Sequence, residues 1–221
     1  MGRREYGQYC PLAKTLDIVG ERWTLLVVRE LLVGPKRYSD LADSLQGIGT
    51  SLLAERLRRL EREGIVERRH LDPPAASVVY ELTADGRDLA RALGPLLLWG
   101  ARRMGRPRRG DEFRIEWIMS FLATVCDRAQ AGGLTETYEF RFPQGSFHVR
   151  AEDGLVSFHD GPAHGHADLI ITTRPEILMG IANGSLDIVE HVRAGAFEVV
   201  GSSDAREHAL RILWPAPEAA L

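Results

Sequence analysis

Arg56, Arg58, Arg59 and Arg62 stand in a stretch whose leucines, Leu53, Leu57 and Leu60, recur at helical spacing. Guanidinium groups carried on such a helix suit phosphate and the acceptor edges of bases rather than acid–base catalysis. Around them, Lys36, Arg37, Ser39, Arg68, Arg69 and His70 could bind further phosphates. The same arginines would also suit a plain solvated helix face, so the elements that position them must decide. Cys10 precedes Pro11 at a predicted helix start, near Arg3, Arg4 and Lys14, a setting that favours thiolate. His159, His164 and His166 lie with Asp160 and Asp168 in a glycine-rich loop, but their spacing fits no standard zinc pattern. No nucleophile–base pairing, P-loop or H-E-x-x-H occurs, so no catalytic residue, metal or cofactor is expected, and a binding protein is expected rather than an enzyme.

The 221 residues are enough for two modest domains. Residues 1–110 hold 20 of the 28 Lys and Arg and 14 of the 31 Asp and Glu; residues 111–221 hold the other 8 and 17. A basic half joined to an acidic half suggests that the first meets a polyanion and the second does not. The two cysteines form no disulfide framework, the first residues show no secretory signal, and no apolar run is long enough to span a membrane. A bacterial cytoplasmic setting without membrane contact is the expectation. Gly105, Pro107, Gly110 and the arginines between them predict a linker at 106–111, dividing a domain at 1–105 from one at 112–221.

In the first half, Pro11 opens a helix with Leu12, Leu16 and Val19 on one face. A helix over 21–33, apolar almost all round, should be central and buried. Gly34-Pro35 stops it. A short helix at 38–45, a turn at Gly47-Ile48-Gly49 and a helix at 50–63 follow. Two strand-like runs, 65–71 and 78–82, form a hairpin or wing, and Thr83 caps a helix over 84–104 that Pro95 should kink. This is the order of a winged helix-turn-helix, whose last helix can lie in the major groove of double-stranded DNA. Thr50, Ser51, Ala54, Glu55 and Arg58 would face base edges, Arg58 reaching guanine and Glu55 accepting from cytosine. Lys36, Arg37, Ser39, Arg68 and Arg69 would hold the backbone.

Cys10-Pro11-Leu12, Gly20-Glu21-Arg22-Trp23-Thr24-Leu25-Leu26, Arg37-Tyr38-Ser39-Asp40-Leu41, the run from Arg56 to Gly64, and Tyr80-Glu81-Leu82-Thr83-Ala84-Asp85-Gly86 resemble the HxlR-type family of winged-helix regulators over residues 5–104. The resemblance implies a homodimer, built from the first and last helices, on a palindromic operator, with repression as the family-level expectation. Leu12, Leu16, Leu89, Leu93, Leu96 and Trp99 are the dimer-seam candidates, and intradomain core is their other possible role. Gly49-Thr50 departs from the Ser-Pro common in such proteins. Some members sense oxidants or electrophiles through an N-terminal cysteine, whose position Cys10 matches; a half-buried structural cysteine is the alternative. Cys126, in an apolar helix, is expected to be inert.

In the second half, a helix over 111–131 precedes strands at 135–142, 146–151, 155–159 and 167–173, helices at 175–183 and 185–194, a strand at 196–200 and a helix at 203–214. That order predicts an α+β domain. Residues 167–173, 175–178, 184–187 and 195–201 resemble the sterol-carrier-protein-2-like (SCP2-like) fold, which implies a tunnel for an acyl chain or sterol. Trp117, Phe121, Phe147, Leu178, Met179, Ile181, Leu186, Val189 and Phe197 would line it, although an apolar stripe is equally the mark of a plain core. The expectation is a regulator in which a hydrophobic small-molecule effector, or modification of Cys10, selects one spacing of two recognition helices. The alternative is a lipid or acyl carrier, or an interaction protein, whose winged helix serves only for dimerisation or protein contact.

Overall fold

The computed structural model describes residues 5–73, 76–105, 108–182 and 185–214. Its backbone forms two compact units, Met1–Ala90 and Arg91–Leu221.

The first unit begins with α1 (Pro11–Val19), with Pro11 in its first turn. Gly20 ends it where a Cβ would lie 2.4 Å from the Leu16 carbonyl oxygen. The predicted helix over 21–33 is shorter: α2 is Thr24–Leu31, because Trp23 adopts φ 78°. Left-handed backbone cannot continue an α-helix and is rare for a bulky side chain. Next come β1 (Lys36–Arg37), α3 (Tyr38–Ser44) and α4 (Thr50–Arg62). The hairpin β2 (Val66–His70) and β3 (Val78–Leu82) leads into α5 (Ala84–Ala92). The strands form an antiparallel sheet in the order β1-β3-β2. Val27, Val28, Leu41, Leu53, Leu57 and Leu60 are withdrawn from water and make one core. Thr83 ties hairpin to helix: its hydroxyl donates to the Gly64 carbonyl and accepts from the Gly86 N–H. A Cβ on Gly86 would lie 2.1 Å from the Ile65 carbonyl oxygen, so only glycine allows this approach. The unit is a winged helix-turn-helix, with α3 and α4 as the helical pair and β2–β3 as the wing.

The single helix expected over 84–104 is two, α5 and α6 (Gly94–Ala101), with Pro95 in the first turn of the second. Proline lacks the N–H that would continue α5. The compact units divide between Ala90 and Arg91 rather than at 106–111, since α6 packs on α7 (Ile115–Val125). A Cβ on Gly94 would lie 3.2 Å from the Thr124 carbonyl oxygen. Arg106 and Pro107 of the expected linker lie outside the described residues.

In the second unit, the expected helix over 111–131 stops at Val125, and a 3-10 turn, Arg128–Ala131, follows. Then come β4 (Thr135–Phe142), β5 (Gly145–Glu152), β6 (Leu155–Asp160), β7 (Leu169–Thr173), α8 (Pro175–Ala182), α9 (Ile188–Arg193), β8 (Phe197–Gly201) and α10 (Ser203–Leu213). The sheet order is β6-β5-β4-β7-β8, with β4 and β7 parallel and the other pairs antiparallel. Alternation along the strands gives one apolar face, where Tyr138, Phe140, Phe147 and Val149 are fully buried. Phe140 and Phe147 stack at 4.7 Å there. Glu139, Arg141, His148 and Arg150 alternate with these residues and belong to the other face. The architecture is α+β. No helix among the described residues is long and apolar enough to cross a membrane.

Candidate nucleic-acid interface

Helix α4 is the element to which the first half of the molecule gives a free side. Leu53, Leu57 and Leu60 hold it to the core, and Thr50, Ser51, Glu55, Arg58 and Arg62 are exposed, with Ala54 half-buried among them. The Tyr38 hydroxyl donates to the Thr50 carbonyl at 2.7 Å, fixing the start of α4 against α3. Gly49 takes the N-cap position in extended backbone, without a side chain to satisfy the first N–H groups. Arg58 folds back so that its Nε donates to the Ala54 carbonyl at 3.1 Å.

The four arginines divide. Arg58 and Arg62, one turn apart, face solvent. Arg56 is buried, with Nε donating to the Arg22 carbonyl at 3.2 Å and its two Nη atoms each 3.1 Å from the carboxylates of Glu55 and Glu21. Arg59 reaches Glu21 at 3.6 Å and donates to the Asp17 carbonyl. Reading all four as a plain solvated helix face would miss this split. The leucine phase carried the signal: Arg56 and Arg59 flank Leu57 and Leu60, whereas Arg58 lies opposite them.

The expected phosphate contacts divide as well. Arg37, Ser39 and Arg68 are exposed, and Arg68 lies 5.8 Å over the Tyr80 ring. The Arg37 N–H donates to Asp40 at 3.0 Å, which caps α3. Lys36, in contrast, is committed within the protein: its Nζ is 2.8 Å from Glu30, which is buried and also holds Arg29 at 2.6 Å. Burial opposes the charged form of Glu30, but Lys36 and then Arg29 more than offset this and hold its pKa below the ordinary carboxylate value. Arg69 forms a bidentate pair with Glu81 across the wing, at 2.7 and 3.0 Å, which raises its pKa. Its charge is thereby partly answered. Pro74 and Ala75, at the wing tip, lie outside the described residues.

Of the dimer-seam candidates, Leu12 is 65% exposed, Leu16 38%, Leu96 51% and Trp99 50%, and Leu89 is half-buried. Leu93, at the junction of α5 and α6, is 8% exposed. Cys10 is exposed at the head of α1 and makes no capping bond. Arg3 and Arg4, invoked beside it, lie outside the described residues. Cys126 follows α7; withdrawal from water pushes its thiol pKa up, against the favourable influence of Arg128.

In the second unit, Phe121, Phe147, Leu178 and Phe197, on α7, β5, α8 and β8, are buried. Trp117, Met179, Ile181 and Leu186 are half-buried, and the Val189 side chain lies outside the described residues. None of the nine lines the pocket of about 470 Å³ over β4, β7 and β8, whose walls include Glu139, Arg141, His166, Asp168 and Ser202. His148 stacks on His159 at 5.0 Å and meets His164 edge-on at 6.3 Å. His166 is paired instead with Asp168, at 3.8 Å.

A pinned helix-turn-helix with one exposed polar helix face and a wing that presents exposed Arg68 defines the winged-helix class. The chain matches the model of the HxlR-like helix-turn-helix family over residues 18–107, and it belongs to that family. Its relatives include the HTH-type transcriptional regulator sll1512 of Synechocystis, itself uncharacterised, at 39% identity over 40% of this chain and 66% of that protein. The uncharacterised HTH-type transcriptional regulator YvaP of Bacillus subtilis is 37% identical over 42% of this chain and 86% of that protein. Among solved structures, the reduced form of the transcriptional regulator YodB from B. subtilis is 31% identical, covers 47% of this chain and all of that one, and gives a TM-score of 0.39. Residues 108–221 lie outside the family match.

Proposed function

We propose that the protein is a dimeric transcription regulator that reads a palindromic operator with α4. The observation that carries this is the exposed face of Thr50, Ser51, Glu55 and Arg58 on a helix held from behind by three buried leucines. Small residues at the N-terminal end allow close approach to the duplex, and the positive end of the helix dipole favours phosphate there. Arg58 leaves Ala54 and pairs with a guanine edge; Arg37, Ser39 and Arg68 set position on the backbone. The exposed Leu12, Leu16, Leu96 and Trp99 support pairing of two protomers. Membership in a family whose relatives bear the name of HTH-type transcriptional regulators supports the same reading.

In this reading the second unit is the effector module, SCP2-like in its strand–helix–helix–strand order, and its action is repression relieved by an apolar ligand or by modification of exposed Cys10. The half-buried Trp117, Met179, Ile181 and Leu186 are the places for a ligand to enter without dismantling the core. The test is a pair of operator titrations on duplexes selected by the full-length protein. Arg58→Ala should lose binding at one base pair of each half-site, and Arg68→Ala should weaken all duplexes alike. Equal affinity of the unmodified protein for selected and shuffled duplexes would overturn the proposal.

A further inference from the structure

The buried flank of α4 carries information that its leucines cannot. Apolar contact is non-directional: Leu53, Leu57 and Leu60 set how far α4 lies from the core but tolerate rotation about its axis and sliding along it. Charge-assisted hydrogen bonds from a guanidinium are directional. Here two such groups, one turn apart, reach from the middle of α4 to a single short stretch, the end of α1 and the turn after it. Glu21 is shared between Arg56 at 3.1 Å and Arg59 at 3.6 Å. Arg56 also holds the Arg22 carbonyl, and Arg59 the Asp17 carbonyl. The nearly buried Asp17 carboxylate in turn accepts the Tyr6 N–H at 3.0 Å, which ties the segment before Cys10 to the same cluster. The turn so gripped is strained, with Trp23 at φ 78° and Arg22 5.6 Å over its ring. A bulky residue persists in that region only where its surroundings impose it.

The element gripped is the one whose other side is Leu12 and Leu16, exposed and apolar. Resting on the dimeric-regulator reading above, we infer that Arg56, Arg59 and Glu21 are positioning residues that transmit the placement of α1 to α4, and so set which half-site spacing the dimer accepts. They touch no DNA in this scheme. Their removal loosens the angle and axial position of α4 while its base-reading face stays intact. The expected signature is a loss of discrimination between spacings rather than a uniform loss of affinity.

The experiment uses the full chain and duplexes carrying its selected half-sites at the preferred separation and at one and two base pairs more or less. The unmodified protein should lose at least ~10-fold in affinity when the separation changes by one base pair, since the two helices must meet successive grooves in phase. Glu21→Gln, at a half-exposed site, should weaken the preferred duplex a few-fold and leave the altered ones unchanged or tighter. Arg59→Lys keeps the charge but cannot span Glu21 and Asp17 together, and it should act in the same direction. Thermal melting and light scattering establish that each variant is folded and dimeric. Equal weakening at every separation by two folded variants would overturn the inference and leave the regulator reading standing. An unmodified protein that shows no preference for selected half-sites would overturn both.

Discussion

The two halves of the molecule bury charge in different ways, and the difference separates surface function from interior function. In the first unit buried Glu30 joins α2 to β1, and buried Arg56 joins α4, whose other face is exposed, to the turn after α1. In the second unit the buried carboxylate of Glu139 is neutralised within β4 by Arg141 at 2.6 Å and accepts the Ala163 N–H of the loop at 3.2 Å. Its pKa is lowered although burial opposes the charged form. The first unit spends directional contacts on aiming a helix outward. The second keeps its large aromatic residues inside, and its assignment as a ligand module rests on what that interior can open to.

Variants can break or sharpen this contrast. The largest effect is expected at Phe147, which stacks on Phe140 inside the second unit. Phe147→Ala should cost about 3–5 kcal/mol by urea unfolding if the site is packed core. A cost well under 1 kcal/mol would favour Phe147 as a tunnel-lining residue.

Next comes Glu30, buried between Lys36 and Arg29. Glu30→Gln removes the carboxylate that Lys36 and Arg29 meet and should destabilise the first unit by about 3 kcal/mol. The sign with pH follows from its lowered pKa: the folded state binds this proton less readily than the unfolded chain does. The contribution is therefore complete above the ordinary carboxylate range and is lost as pH falls through that range towards the folded pKa. Unfolding curves between neutral pH and pH ~3 should show a shallower loss in Glu30→Gln than in the unmodified protein. Parallel curves would mean that Glu30 gains nothing from its partners.

Arg58→Ala should cost about 1–3 kcal/mol on a selected operator, with little change in stability. The smallest effect is expected at the wing, where Arg68→Ala should lower the slope of log affinity against log salt by about 1, uniformly across duplexes. Arg69→Ala should lower it less, because Glu81 already answers that charge. A larger slope change at Arg69 than at Arg68 would show that the wing rearranges on DNA.

Much of the first unit was legible because its signals are periodic. The leucine spacing of α4 predicts both its buried side and, by subtraction, the exposed Ser51, Glu55 and Arg58. Periodicity says nothing of backbone handedness, so the left-handed Trp23 and the shortened α2 could not be read from it. Nor does it reveal pairing between elements distant in sequence. Lys36 reads as a phosphate contact until Glu30 is found beneath it, and Arg69 until Glu81 is found across the wing. In the second unit the strands of the sheet were legible from their alternation to within one or two residues. Core and cavity lining, however, share the same residue types, and the burial of Phe121, Phe147, Leu178 and Phe197 is common to both.

The central claim is that α4 reads bases as one of a symmetric pair. Selection of duplexes from a randomised library by the full-length protein tests it most directly. The account predicts enrichment of an inverted repeat whose half-site centres lie about one helical turn, ~34–36 Å, or a multiple of it, apart. Enrichment of a single unrepeated site, or of none above the input library, would contradict it.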